Sequence, residues 1–97
     1  MSNSWNFSDP PHAACITEQT IVDGAQPVLF VVRDFEDGGY QFLSGNKPGT
    51  SAAMVVSLQS MLGLDSTLAA LFDLQPGWTA ARRTVDAPWN RVPRPRA

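Results

Sequence analysis

The sequence predicts one small α+β domain, a mainly antiparallel sheet of about four strands with two short helices packed on one face. Three observations carry that prediction. Val28-Leu29-Phe30-Val31-Val32 is a β-branched run of strand length, bounded by Pro27 and Asp34, and too short for a buried helix. Asp34-Phe35-Glu36-Asp37-Gly38-Gly39 is a polar, glycine-ended reversal leading into Tyr40-Gln41-Phe42-Leu43, the pattern of a β-hairpin. Met54, Val55, Leu58, Met61 and Leu62 then recur at helical spacing. A chain of 97 residues leaves room for one core only.

Three segments follow in order. Residues 1–13 read as an extended arm, because Asp9-Pro10-Pro11 lacks amide donors and restricts the backbone before each proline. Residues 14–86 form the domain. From Cys15 to Val22 the mixture of β-branched and polar residues predicts a short strand, which Asp23-Gly24 ends in a turn. The run 28–32 is the expected central strand, with Val28, Phe30 and Val32 on one side and Leu29, Val31 and Arg33 on the other, so both sides want cover. It pairs antiparallel with Tyr40–Leu43 across the hairpin, and 44–50 is a loop by composition. The helix carrying Met54 to Leu62 is expected to end at Gly63, with Asp65 or Ser66 capping a second helix through Leu68, Leu71 and Phe72. Pro76-Gly77 closes that helix, and Trp78 to Val85 favours a final strand. Residues 87–97 place Pro88, Pro93 and Pro95 among Arg91, Arg94 and Arg96, the composition of an extended tail without regular structure.

Composition narrows the function classes. With 43% hydrophobic and 16% charged residues, folding is expected. Cys15 is the single cysteine, so no internal disulfide can form, and a buried, inert thiol in a reducing, cytoplasmic compartment is expected. Neither a secretion signal nor a membrane span is legible. Net charge is −2, unevenly spread: up to Gly77 eight acids face only Arg33 and Lys47, whereas from Trp78 onward five arginines face Asp86 alone. A basic tail of this kind either folds back on its acidic body or orients a charged partner.

No catalytic, cofactor or metal constellation is predicted. His12 is the only histidine and stands in the proline-flanked arm, where it has no nucleophile or base partner to form a triad. His12 and Cys15 give two ligands where a closed zinc site needs four. Asp34, Glu36 and Asp37 resemble the start of a calcium loop, but Gly45 stands where the bidentate glutamate belongs. Gly38-Gly39 lacks the lysine and hydroxyl of a phosphate loop. Arginines interleaved with Trp89 are material for nucleic acid, against which the acidic overall charge argues. Arg82 and Arg83 are adjacent on the last strand and point to opposite faces, so one is expected to pair with a carboxylate. Because the central strand is apolar on both sides, its second side needs the arm with Trp5 and Phe7, the tail with Trp89, a second copy, or another protein.

The order of these pieces resembles the immunity protein 33-like domain family, small bacterial proteins associated with toxin systems. The likeness covers about Cys15 to Arg83 and resides in Pro27 to Arg33, in Asp37-Gly38-Gly39-Tyr40-Gln41-Phe42 leading to Gly45, and in Asp65, Leu68 and Leu71 before Pro76-Gly77-Trp78 and Arg82. The resemblance implies a non-catalytic interaction module that occludes a cognate toxin, and it carries over no catalytic residues. The expected partner-binding residues are Asp34, Glu36, Asp37, Tyr40, Trp78, Arg82 and Trp89, acids for encounter and aromatics as anchors. The alternative from another class is a small ligand-binding protein or enzyme, with a pocket beside Tyr40 and Trp78 and with Asp37 or Arg82 as polar anchors. Self-association through the open sheet side is the third reading.

Overall fold

The computed structural model describes residues 5–45 and 51–94. The order is β1 (Ala14–Glu18), α1 (Gln19–Val22), β2 (Phe30–Arg33), β3 (Tyr40–Leu43), β4 (Ala53–Ser57), α2 (Leu58–Leu64), a 3-10 helix (Ser66–Leu71), β5 (Trp78–Ala81) and β6 (Asn90–Pro93). The chain is α+β, as expected, but the sheet has six strands in the order β4-β1-β3-β2-β5-β6 rather than about four. It is also mixed, since β1 runs parallel to β3 while every other pair is antiparallel.

The expected central strand is found, but as Phe30–Arg33, with Val28 and Leu29 preceding it. β2 lies between β3 and β5, with Val31 opposite Phe42 on one side and Ala80 on the other. Strand alternation puts Val31 and Val32 on opposite faces. Val31, Phe42, Tyr40, Ala80 and Cys15 point to the side where Leu58, Met61, Leu68, Leu71, Leu74 and Ile21 close one cluster. Both longer helices therefore pack on a single face, as their apolar stripes require.

Four expectations are corrected. The strand from Cys15 turns helical at Gln19 instead of continuing to Val22. Met54 and Val55, counted in a helical stripe, belong to β4, and the chain enters α2 with no intervening loop. The Ser57 hydroxyl makes that change possible by accepting the Ser60 amide at 3.0 Å, an N-cap in extended conformation. Gly63 lies inside α2, and Asp65 both ends α2 and caps the 3-10 helix by accepting the Thr67 amide at 3.0 Å. The tail forms β6, an edge strand that tolerates Pro93 because only one of its sides is paired.

The arm and tail belong to the folded unit, so the core extends beyond residues 14–86. Phe7 is buried and meets Tyr40 edge-on at 5.6 Å, while Trp5 and Trp89 pack against the same cluster. Most of the loop over 44–50 lies outside the described residues. Gly77 makes the turn into β5 at φ +85°, where a Cβ would also come within 2.6 Å of the Phe35 ring.

Phe7→Ala should lower unfolding free energy by about 3 kcal/mol, the cost of emptying a buried aromatic site. Urea denaturation measures this; an unchanged midpoint would show that the arm does not pack.

Candidate functional site

The face of the sheet away from the helices is built from alternate residues of the same strands. It carries Ile16 and Val55 towards the β4 side and Val92 on β6, all exposed, with Phe30 and Leu43 half-buried between them. Val32 and Thr79, near its middle, are buried. Among the described residues the buried side chains of α1, α2 and the 3-10 helix, Ile21, Leu58, Met61, Leu68 and Leu71, all join the opposite cluster. Phe7 and Trp89, two candidates for covering this face, join that cluster as well.

At one end of this face a groove of about 320 Å³ opens between β1, β4 and the hairpin turn, with Ala14, Ile16, Gln41 and Val55 along it and Asp34 and Asp37 at its rim. The acids are held by the turn itself. Asp34 Oδ2 accepts the amides of Glu36 at 2.9 Å and Asp37 at 3.0 Å, and Asp37 Oδ1 accepts the Gly39 amide at 2.7 Å. The hydrogen bonds from the Asp37 and Glu36 amides hold the Asp34 carboxyl below the ordinary carboxylate range, with the charge of Arg94 adding to the effect. Glu36 is exposed in the same turn.

The seven residues expected to bind a partner divide into two groups. Asp34, Glu36 and Asp37 lie together at the hairpin turn. Tyr40, Trp78, Arg82 and Trp89 lie on the helix side, and two of them are committed to the interior. Tyr40 is 3% exposed, donates its hydroxyl to the Leu71 carbonyl at 3.0 Å, and stacks on Phe42 at 5.6 Å. Burial raises its pKa, and the Arg33 guanidinium 5.1 Å from its ring works in the opposite direction. Trp78 is half-buried against the core.

Arg82 has a 1% exposed side chain and makes four hydrogen bonds. Its Nε donates to the Val28 carbonyl at 3.1 Å, its Nη1 to the Thr67 hydroxyl at 2.8 Å and the Val85 carbonyl at 3.2 Å, and its Nη2 to Asp65 at 2.8 Å. Trp89 lies against it, with the ring centre 4.2 Å from the guanidinium carbon. The expected carboxylate partner is thus Asp65. The Tyr40 hydroxyl and the Arg82 guanidinium are bonded to the chain's own backbone and side chains rather than presented to a partner. A second groove, of about 490 Å³, borders Asp65, Thr67 and Pro27, but the neighbouring guanidinium is already spent. Of the residues expected around a pocket beside Tyr40 and Trp78, Asp37 and Tyr40 border the hairpin groove, and neither of these two grooves includes Trp78 or Arg82.

Within the described residues the basic tail reaches back to the acidic body through Arg91. Arg91 reaches Asp73 at 2.6 Å and the Ala70 carbonyl at 2.7 Å, so β6 is tied to the 3-10 helix end. Cys15 is buried and donates to the Val56 carbonyl at 3.4 Å; burial pushes its pKa up to about 11, which suppresses the thiolate. Among the described residues no three His, Cys, Asp or Glu side chains converge as metal ligands, and no helix is long and apolar enough to cross a membrane.

Ile16, Gln41 and Val55 were not singled out as site residues from the sequence. The one available signal was the alternation Cys15-Ile16-Thr17, which puts Ile16 opposite two inward residues; Val55 was hidden by its place in the helical stripe. No family model, curated protein or solved structure matches the chain.

Partial burial works to raise the Asp65 pKa, but the hydrogen bonds from Thr67 and Arg82 outweigh it and hold the carboxyl below its ordinary range. A depressed folded pKa means that this stabilisation is complete above the unfolded value and is lost as pH falls through the folded one. Melting temperature should therefore be level at neutral pH and fall below about pH 4. Asp65→Asn should cost about 3 kcal/mol at pH 7, because Arg82 stays buried without its carboxylate, and should flatten the acid limb. A variant that matches the parent protein at pH 7 would remove the ion pair from the account.

Proposed function

We propose that this chain is a non-catalytic interaction module of immunity type, which occludes a partner protein through the groove at the acidic end of its open sheet face. The observation that supports this reading is the juxtaposition of exposed Ile16 and Val55 with the carboxylates of Asp34 and Asp37. Apolar side chains beside fixed charge give an interface its two parts: burial that slows release, and a field that speeds encounter. The matching surface on the partner is a protruding apolar side chain ringed by lysine or arginine. Glu36 extends the negative edge of the groove, and the hydrogen bonds of the turn favour the charged form of Asp34.

The toxin-directed part of the proposal rests on the order of sequence pieces that resembles the immunity protein 33-like domain family. The structure-based part does not depend on it: a shallow trough with half-exposed apolar walls suits a side chain of another protein better than a small molecule, which needs most of its surface enclosed.

The partner for the test is sought as a toxin whose reading frame adjoins the gene. Co-expression should relieve that toxin's growth inhibition, and the purified pair should form a one-to-one complex by calorimetry. Ile16→Glu should weaken the complex by about a hundredfold. Glu36→Gln combined with Asp37→Asn, which keeps the turn's hydrogen-bond acceptor, should slow association about tenfold and reduce its salt dependence. Full protection by Ile16→Glu, with the fold intact by circular dichroism, would overturn the assignment of this groove.

A further inference from the structure

The two edges of the sheet are unlike. β6 carries Arg91, which is folded inward onto Asp73, and Pro93, which has no amide to offer. Such features keep an edge from pairing with other strands. β4 carries neither: Ala53-Met54-Val55-Val56-Ser57 has no charge and no proline, and Val55 is 72% exposed.

The backbone of β4 shows which groups are free to pair. The Gln19 amide donates to the Ala52 carbonyl and the Leu58 amide to the Ala13 carbonyl, so residues 52 and 58 bond inward to β1. In an antiparallel ladder the inward groups alternate. Met54 and Val56 therefore also bond to β1, in register with Thr17 and Cys15, and Ala53, Val55 and Ser57 direct their amides outward. Three evenly spaced outward residues form a template for another strand. β4 ends the strand order, with β1 as its paired neighbour among the described residues.

We infer that β4 pairs antiparallel with β4 of a second copy of this chain, about a two-fold axis at Val55, joining two sheets into one. The strand is complementary to itself in that register. Val55 faces its twin, and Ala53 faces Ser57 of the copy on the open side of the sheet. On the helix side Met54 faces Val56 of the copy. Every cross-strand pair is apolar or small, and no like charges meet on the axis, where a charged residue would repel its own image. The same axis joins Ile16 and Val55 of one chain to Val55 and Ile16 of the other, which makes a continuous apolar band across the open face. This inference does not rest on the hairpin groove as a partner site, since its test needs no partner.

Sedimentation equilibrium of the purified chain should give twice its 10.5 kDa mass. Val55→Lys and Val55→Glu, at a position too exposed to disturb the core, should each raise the dimer dissociation constant by about a hundredfold or more. An equimolar mixture of the two variants should recover the dimer. Amide exchange in the parent protein supplies a readout independent of mutation: Val55 protection should rise with protein concentration. A parent chain that is monomeric at every concentration, a Val55→Lys variant that remains dimeric, or Val55 exchange that ignores concentration would each overturn the inference.

Discussion

A core closed on one side of the sheet is the constraint from which the rest of this structure follows. Val31, between Phe42 and Ala80, is covered by side chains from α2, the 3-10 helix and the arm. A sheet whose helices share one face must concentrate its burial there, because 97 residues cannot build a second layer of comparable size. The arm, the tail and the single cysteine are all drawn to that side. Two arginines fasten it. Arg82 ties β5 to the carbonyl preceding β2 and to the cap of the 3-10 helix, and Arg33 ties the hairpin turn to the Leu74 carbonyl at 2.6 Å. Each guanidinium satisfies carbonyls that the packed loops would otherwise leave without donors.

The parts of the fold visible in the sequence are those in which local chemistry and tertiary place agree. The run 28–32 is apolar on both strand faces because β2 has neighbours on both edges and lies centrally in the sheet. Tyr40–Leu43 follows a turn that Asp34 and Gly38 can form by themselves. Asp65 caps the segment after it with the oxygen its side chain always offers. Where prediction failed, two elements share a segment without a loop. Ala53–Ser57 runs straight into Leu58–Leu64, so a strand and a helix together produce apolar spacings that mimic one longer helix. The parallel pairing of β1 with β3 is a contact between distant segments, and nothing local specifies it. β6 exists because β5 offers it an edge, which its proline-rich composition could not indicate.

A related reason separates the helix-side residues from the hairpin acids. Tyr40, Arg82 and Trp89 have the chemistry of interface anchors, yet the same aromatic and guanidinium groups also suit an interior that supplies carbonyl, carboxylate and ring partners. Sequence spacing does not distinguish those two uses. The hairpin acids were legible because three carboxylates in four residues cannot all be buried. Ile16 and Val55 were not, because an isolated aliphatic residue is ordinarily assigned to the core. The surface that distinguishes this chain is thus made of residues that look inconspicuous one by one.

The two faces of the one sheet differ in what they contribute to folding. Urea unfolding of Phe42→Ala and Ile16→Ala tests this difference most directly, since Phe42 faces the helices and Ile16, 42% exposed, faces away. The first should lose about 3 to 5 kcal/mol and the second about 1 kcal/mol or less. Equal losses would mean that the second face carries a packed layer of its own, and the one-sided core would have to be abandoned.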